Sequence, residues 1–446
     1  VIKDIGLKKE AKKTVFSEIM NFLANEVLTQ AAVVMAVVGL IGLVLQKKPI
    51  ERIMSGVIKI YVGMTIFTLG LNAICTQVDI FTKMSLKIVG ASDVLNGATR
   101  VPIIASYDNV MSAAALTLGL AYVVNILIAR FTKMKIIYLT GHWSHWTCIC
   151  VCAVLMNYLG IASTKAILIG GVIVGTYQVV FPFILQPYTR VLTDGAPIAF
   201  GHGVSSCALI GSWIGSKIGN PKNSFEDIEV SGRLSFLKEV VITVALTMSV
   251  MYVGLALIVG KDFVMTLSGG KNWIMFCIFA GFGFSAGLMA LLYGIRMFIA
   301  EITPAFQGIS TKLVPGALPA FDCPVFFQYG QNSLLIGFVI AQICSIISMA
   351  ILMKWDMPVP ILMVTYENFF GGGVVALFAN KFGGKRAAIV GAMFFGFTAT
   401  LGRSLFFPTL GPMVAFAQTT AEWDQMVLCT VVGWVGKLLG LAQYTF

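Results

Sequence analysis

VVITVALTMSVMYVGLALIVG, residues 240–260, carries no charged side chain. A helix needs about 20 predominantly apolar residues to cross a bilayer, so this run reads as a spanning helix. AAVVMAVVGLIGLVL (31–45) and AAALTLGLAYVVNILIA (113–129) read the same way. The whole chain agrees with them. Of its 446 residues, 58% are hydrophobic and only 11% charged, with a mean hydropathy of +0.89. A soluble domain needs roughly 25% charged residues to cover its surface. The fold class is therefore an all-α polytopic membrane protein.

Candidate spans fall at 28–46, 54–75, 110–130, 136–158, 165–186, 237–260, 273–300, 333–353, 358–380, 387–412 and 424–443, about eleven transmembrane helices. Between them lie three apolar but irregular stretches, 97–107, 188–215 and 315–331, rich in Pro, Gly and polar residues. Non-helical backbone at membrane depth survives only when buried in protein or lining a wet cavity. Two of these stretches match: RVPIIASY (100–107) and DCPVFFQY (322–329), with Pro102 on Pro324 and Tyr107 on Tyr329. Upstream, YVGMTIF resembles LYGIRMF, placing Gly63 on Gly294 and Phe67 on Phe298. Five spans fall before the midpoint and five follow in residues 237–412, with the eleventh beyond them, and an odd number per repeat forces opposite orientations. The expectation is two inverted repeats with re-entrant hairpins meeting near the midplane.

The expected organisation is an amphipathic N-terminal segment (1–27), a first repeat (28–190) and a broken substrate-site segment with a polar connecting loop (191–236). A second repeat (237–412) and a C-terminal transmembrane helix (413–446) follow. The start, VIKDIGLKKEAKKTVFSEIMNFL, lacks the apolar core of a cleavable signal and reads as an interfacial helix. The net charge of +11 reflects basic residues of cytoplasmic loops and implies no nucleic acid. The nine cysteines sit mostly in apolar runs and suggest no disulfide framework.

Charged groups at membrane depth usually face a cavity or a partner. The matched hairpins begin with Arg100 and Asp322, which can pair or flank a polar ligand. LTGHWSHW (139–146) supplies His142 and His145 on one helix face, but two histidines without a local carboxylate fall short of a metal's ligand set. No metal and no cofactor is expected. Trp146, four residues after His142, is expected to face the cavity, and Trp143 to pack. His202 lies in the broken stretch TDGAPIAFGHG (193–203). Glu301 and Glu367 are candidate gating or coupling groups. There is no nucleophile elbow or P-loop, so catalysis is not expected of this chain.

NILIARFTKMKIIYLTGH (125–142), GIRMFIAEITPAFQGISTKLVPGALPAFDCPVFF (294–327) and ALFANKFGGKRAAIVGA (376–392) resemble the ascorbate-type enzyme IIC permeases. These belong to the ascorbate–galactitol group of the bacterial phosphoenolpyruvate-dependent phosphotransferase system. The resemblance implies a homodimer in the bacterial cytoplasmic membrane, with a substrate-binding core domain, a V-shaped dimerising domain and elevator-type alternating access. It implies a sugar or sugar-acid substrate, handed to a phosphocysteine on a cytoplasmic enzyme IIB, with IIA and the general phosphotransferase proteins upstream. It places Thr99, Arg100, Val101, His142, Trp146, His202, Gly203, Asp322 and Cys323 at the substrate site. Ascorbate carriers have glutamine where this chain has Trp146 and Gly203. These departures favour a ligand with a larger stacking face, or an anionic group for Arg100. Other readings are an ion-coupled secondary transporter using Glu301 or Glu367, and a membrane receptor that binds without transport.

Overall fold

The structure, a computed structural model, describes residues 31–88, 108–227, 239–355, 367–406 and 422–441. The expected hairpin tip at Thr99, Arg100 and Val101 and the N-terminal segment lie outside the described residues.

Helix α1 (Ala31–Leu45) turns at Lys47, whose φ is positive, into α2 (Ile50–Ile88). Hydropathy places the end of that span near residue 75, but the helix runs on through Asp79 and Lys83, which pair at 2.8 Å one turn apart. Then come α3 (Asp108–Phe131), strand β1 (Ile136–Tyr138), α4 (Gly141–Ala153) with a π-helical turn (Val154–Tyr158), and α5 (Ser163–Leu192). Strand β2 (Ala199–Phe200) leads into α6 (Ser205–Ile218). After the connecting loop come α7 (Val240–Val259), α8 (Lys261–Leu267) and α9 (Trp273–Lys312). Strand β3 (Leu318–Phe321) runs into a 3-10 segment (Cys323–Tyr329) and then α10 (Gln331–Lys354). A π turn (Asn368–Gly372), α11 (Gly373–Phe406) and α12 (Trp423–Leu438) complete the described chain.

Among the described residues, six helices are long and apolar enough to cross a membrane. A seventh is added if α7 and α8, bent by 118° at Gly260, count as one span. Of two expected spans, 358–380 and 387–412, the described parts run together through the π turn and one helix, α11, whose helical backbone is interrupted at Gly384 (φ 67). A Cβ there would meet the Asn220 and Asn223 carbonyls, so the kink needs glycine. The loop clamps onto this kink: the Asn220 amide donates to Gly383 O at 2.9 Å and the Lys385 amide to Asn223 O at 2.7 Å. Glu226 reaches further and accepts from the Asn332 and Ser333 amides at the start of α10, at 3.1 and 2.8 Å.

Helices α1, α2, α7 and α9 pack as one group. Within it α2 and α9 approach at backbone distance. A Cβ on Gly63 would lie 2.8 Å from Phe298 N, and one on Gly294 would fall 2.6 Å from Gly63 O and 2.8 Å from the Phe67 Cα. A second core joins α3 and the π turn after α4 with α5 and α12. A third interface joins α6, α10 and α11.

Three short strands modify the all-α expectation. They form a parallel sheet in the order β1-β3-β2, with Tyr138 and Ala199 both opposite Ala320. This is why α4 begins at Gly141 and not at 136. The strands satisfy backbone groups that lipid cannot. On the outer edge of β1, the Asn125 amide donates to Ile136 O at 3.3 Å and its carbonyl accepts from Tyr138 N at 3.2 Å. On the edge of β2, Gln186 donates to Ile198 O at 3.0 Å.

Candidate functional site

The three parallel strands deliver their carboxyl ends to one edge. After β1 comes Thr140, after β2 His202, and after β3 Asp322; each is followed by the start of a helix. Ligands bind characteristically at the carboxyl edge of parallel strands, where free helical amides and convergent side chains meet. The edge is held by backbone bonds. Gly201 N donates to Phe321 O at 2.8 Å, and Leu139 N to Ala320 O at 2.9 Å. Thr140 Oγ1 donates to Gly201 O at 2.6 Å.

This ladder brings His202 and Asp322 together, with Nε2 3.3 Å from Oδ1. Asp322 also accepts from the Cys323 amide at 2.7 Å, capping the 3-10 segment. Thr140, Gly141 and Asp322 line a cavity of about 210 Å³ whose opposite wall is apolar save for Thr68: Met64, Phe67 and Leu71 of α2, Ile295 and Phe298 of α9, and Val34 and Met35 of α1. Apolar walls with a few placed polar groups are the usual make-up of a small-molecule site. His202, Asp322 and Cys323 present ligand-type atoms within 4.8 Å of one another. That is one short of a closed tetrahedral set.

Behind His202 stands the N-terminus of α12. Glu422 and Gln425 form its capping box, and the Asp424 amide donates to Gly203 O at 2.8 Å. Asp424 accepts from the Tyr177 and Ser206 hydroxyls. Glu422 Oε2 accepts from Trp143 Nε1 at 2.8 Å and lies 3.4 Å from His202 Nδ1, an ion-pair approach without hydrogen-bond geometry. A Cβ on Gly203 would overlap both the Trp143 indole and the Glu422 carboxylate.

The other expected site residues are dispersed. His142 opens α4, but its side chain lies outside the described residues. Trp146 stacks on His145 with ring centroids 6.3 Å apart and packs against the core around Cys148–Leu159. Trp143, expected as packing, stands 6.2 Å from the His202 ring and 5.2 Å from Tyr177. Glu301 is held between α2 and α9 by Arg52 at 2.7 Å and Lys59 at 3.2 Å. Glu367 pairs with the fully buried Arg403. Sequence reasoning missed Trp143, Tyr177, Ser206, Glu422 and Asp424. The one local signal was the capping pattern EWDQ (422–425) ahead of an apolar run.

Residues 26–424 match the family model for the PTS system sugar-specific permease component. The chain is also 24% identical over 429 residues to the ascorbate-specific PTS system EIIC component of Mycoplasma pneumoniae. That match covers 82% of this chain and 64% of the relative's length.

Proposed function

This chain belongs to the family of PTS sugar-specific permease components, and from that premise we propose that it carries a sugar or sugar acid across the cytoplasmic membrane of a bacterium. Ascorbate is the candidate suggested by the Mycoplasma relative's name. The substrate is presented to a cytoplasmic phospho-IIB, which performs the phosphoryl transfer, so the chain acts as a transport subunit. The observation that carries this reading is the His202–Asp322 pair at the carboxyl edge of the small sheet, opening through Asp322 onto the apolar-walled cavity. An imidazole and a carboxylate together read hydroxyl groups, one with donor capacity and the other accepting.

The rest of the mechanism follows the same proposal. The protein works as a homodimer, by elevator-type movement of the sheet-bearing body against the group of α1, α2, α7 and α9. The reciprocal approach of Gly63 to Phe298 and Gly294 to Phe67 supports a two-fold relation between α2 and α9, as inverted repeats require. His142 and the hairpin tip at Thr99, Arg100 and Val101 complete the sugar's contacts in this proposal.

Uptake of radiolabelled ascorbate and of neutral sugars, in cells with and without the cognate IIB, tests the reading. Phosphorylated product appearing only with IIB is the expected result. Unmodified substrate concentrated against its gradient without IIB would refute phosphorylation-coupled transport.

A further inference from the structure

Glu422 has no counterpart among the residues that the family resemblance assigns to the sugar. It arrives from the far end of the chain, at the N-cap of α12. One carboxylate oxygen faces two rings at once: the Trp143 indole N–H at 2.8 Å and His202 Nδ1 at 3.4 Å. The other nitrogen of the same imidazole faces Asp322 at 3.3 Å. Gly203 contributes no side chain to this crowd, because the indole and the Glu422 carboxylate already occupy the space a Cβ would enter.

We propose that Glu422 is a positioning residue of the sugar site, which sets the ring orientation and tautomer of His202 and, with Trp143, stands in for a side chain at position 203. This rests on the permease reading only for the identity of the ligand. An ionised carboxylate offers only acceptor oxygens, so at 3.4 Å, without a formed hydrogen bond, its charge favours a proton on Nδ1. The state of one imidazole nitrogen fixes what the other offers. Glu422 thereby decides what His202 Nε2 presents beside Asp322 and to a hydroxyl-bearing ligand. Other groups face His202 as well: Tyr177 from α5, Cys323 after β3, and Asp424 through the backbone of Gly203. Of all these, Glu422 is the carboxylate against Nδ1.

Glu422→Gln tests this with little change in volume. Because one oxygen faces both rings, the amide sets either its oxygen there, keeping the Trp143 bond, or its nitrogen; in both cases the negative charge that favours a proton on Nδ1 is gone. The chain has three histidines, so 15N spectra of histidine-labelled protein can be assigned by removing each in turn. The expected result is a changed 15N signature for the His202 ring, with ascorbate affinity weakened roughly tenfold or more and the thermal midpoint nearly retained. Glu422→Asp, too short to touch both rings, is expected to change the same signals. An unchanged His202 signature in Glu422→Gln overturns the proposal and leaves Glu422 a helix cap. If the wild-type protein binds no sugar at all, the permease reading fails, while the ring spectra still decide the positioning role.

Discussion

Gly203→Ala adds a single methyl group and should be severe. Gly203 does not occupy left-handed backbone, so alanine imposes no conformational penalty and the effect is steric. The new Cβ would overlap Trp143 Nε1 and the Glu422 carboxylate and lie 2.6 Å from Trp143 Cε2, so the indole must retreat by more than about 1 Å, and the carboxylate must shift as well, to reach ordinary contact. The indole has little room. Tyr177 and Tyr138 flank it with ring centroids at 5.2 and 5.9 Å. Retreat breaks the indole bond to Glu422, worth about 1.5–3 kcal/mol for a charged acceptor, and overpacks the ring cluster at about 1–3 kcal/mol. Part of each is recovered by relaxation, leaving a cost of about 2–4 kcal/mol. The assay is thermal unfolding of purified protein in detergent, run as a double-mutant cycle with Trp143→Phe. The smaller ring vacates the contested space, so adding Gly203→Ala to Trp143→Phe should cost less than about 1 kcal/mol. An unchanged midpoint in Gly203→Ala, or the same cost in both backgrounds, would refute the packing described here.

Three other outcomes are expected. Arg403→Leu leaves Glu367 buried beside no cation and should cost about 3–5 kcal/mol, with Glu367→Gln in the same chain restoring most of it; expression level and thermal midpoint read both. Gly384→Ala should release the clamp between residues 219–223 and α11, since positive φ with extended ψ is essentially glycine-only and costs alanine about 1–3 kcal/mol, and limited proteolysis in that loop should accelerate. Asp322→Asn keeps an acceptor for the Cys323 amide but loses the charge facing His202; calorimetry should find sugar binding abolished in a protein that still elutes as folded.

The long helices were legible because hydropathy is a property of consecutive residues. Their ends were less so. Charges such as Asp79 and Lys83 stop a hydropathy run, yet they pair along the helix and let α2 continue to Ile88. The sheet was not legible. Its strands are two to four residues long, and the partners that pair are far apart in sequence. Asp322 and His202 stood out because polar groups are rare in apolar surroundings. The helical spacing of His142 and Trp146 gave no sign that Trp143, expected to pack and buried as such, also stands beside the His202 ring. Trp143 is turned toward the strand ends by the entry of α4 from β1, which is a tertiary matter. Glu422 was invisible for the same reason: only the docking of α12 behind β2 carries it 3.4 Å from an imidazole two hundred residues earlier in the chain.

The small sheet has a consequence for how such a protein diversifies. The separation of Asp322 from His202 is set by main-chain bonds, Gly201 N to Phe321 O and its neighbours, and main-chain bonds are indifferent to most side-chain changes. In the proposed site, recognition divides between that pair on a backbone scaffold and the side chains at 143 and 422 packed behind it. A laboratory library at those two positions would vary what surrounds His202 while leaving in place the main-chain bonds that set the pair's spacing.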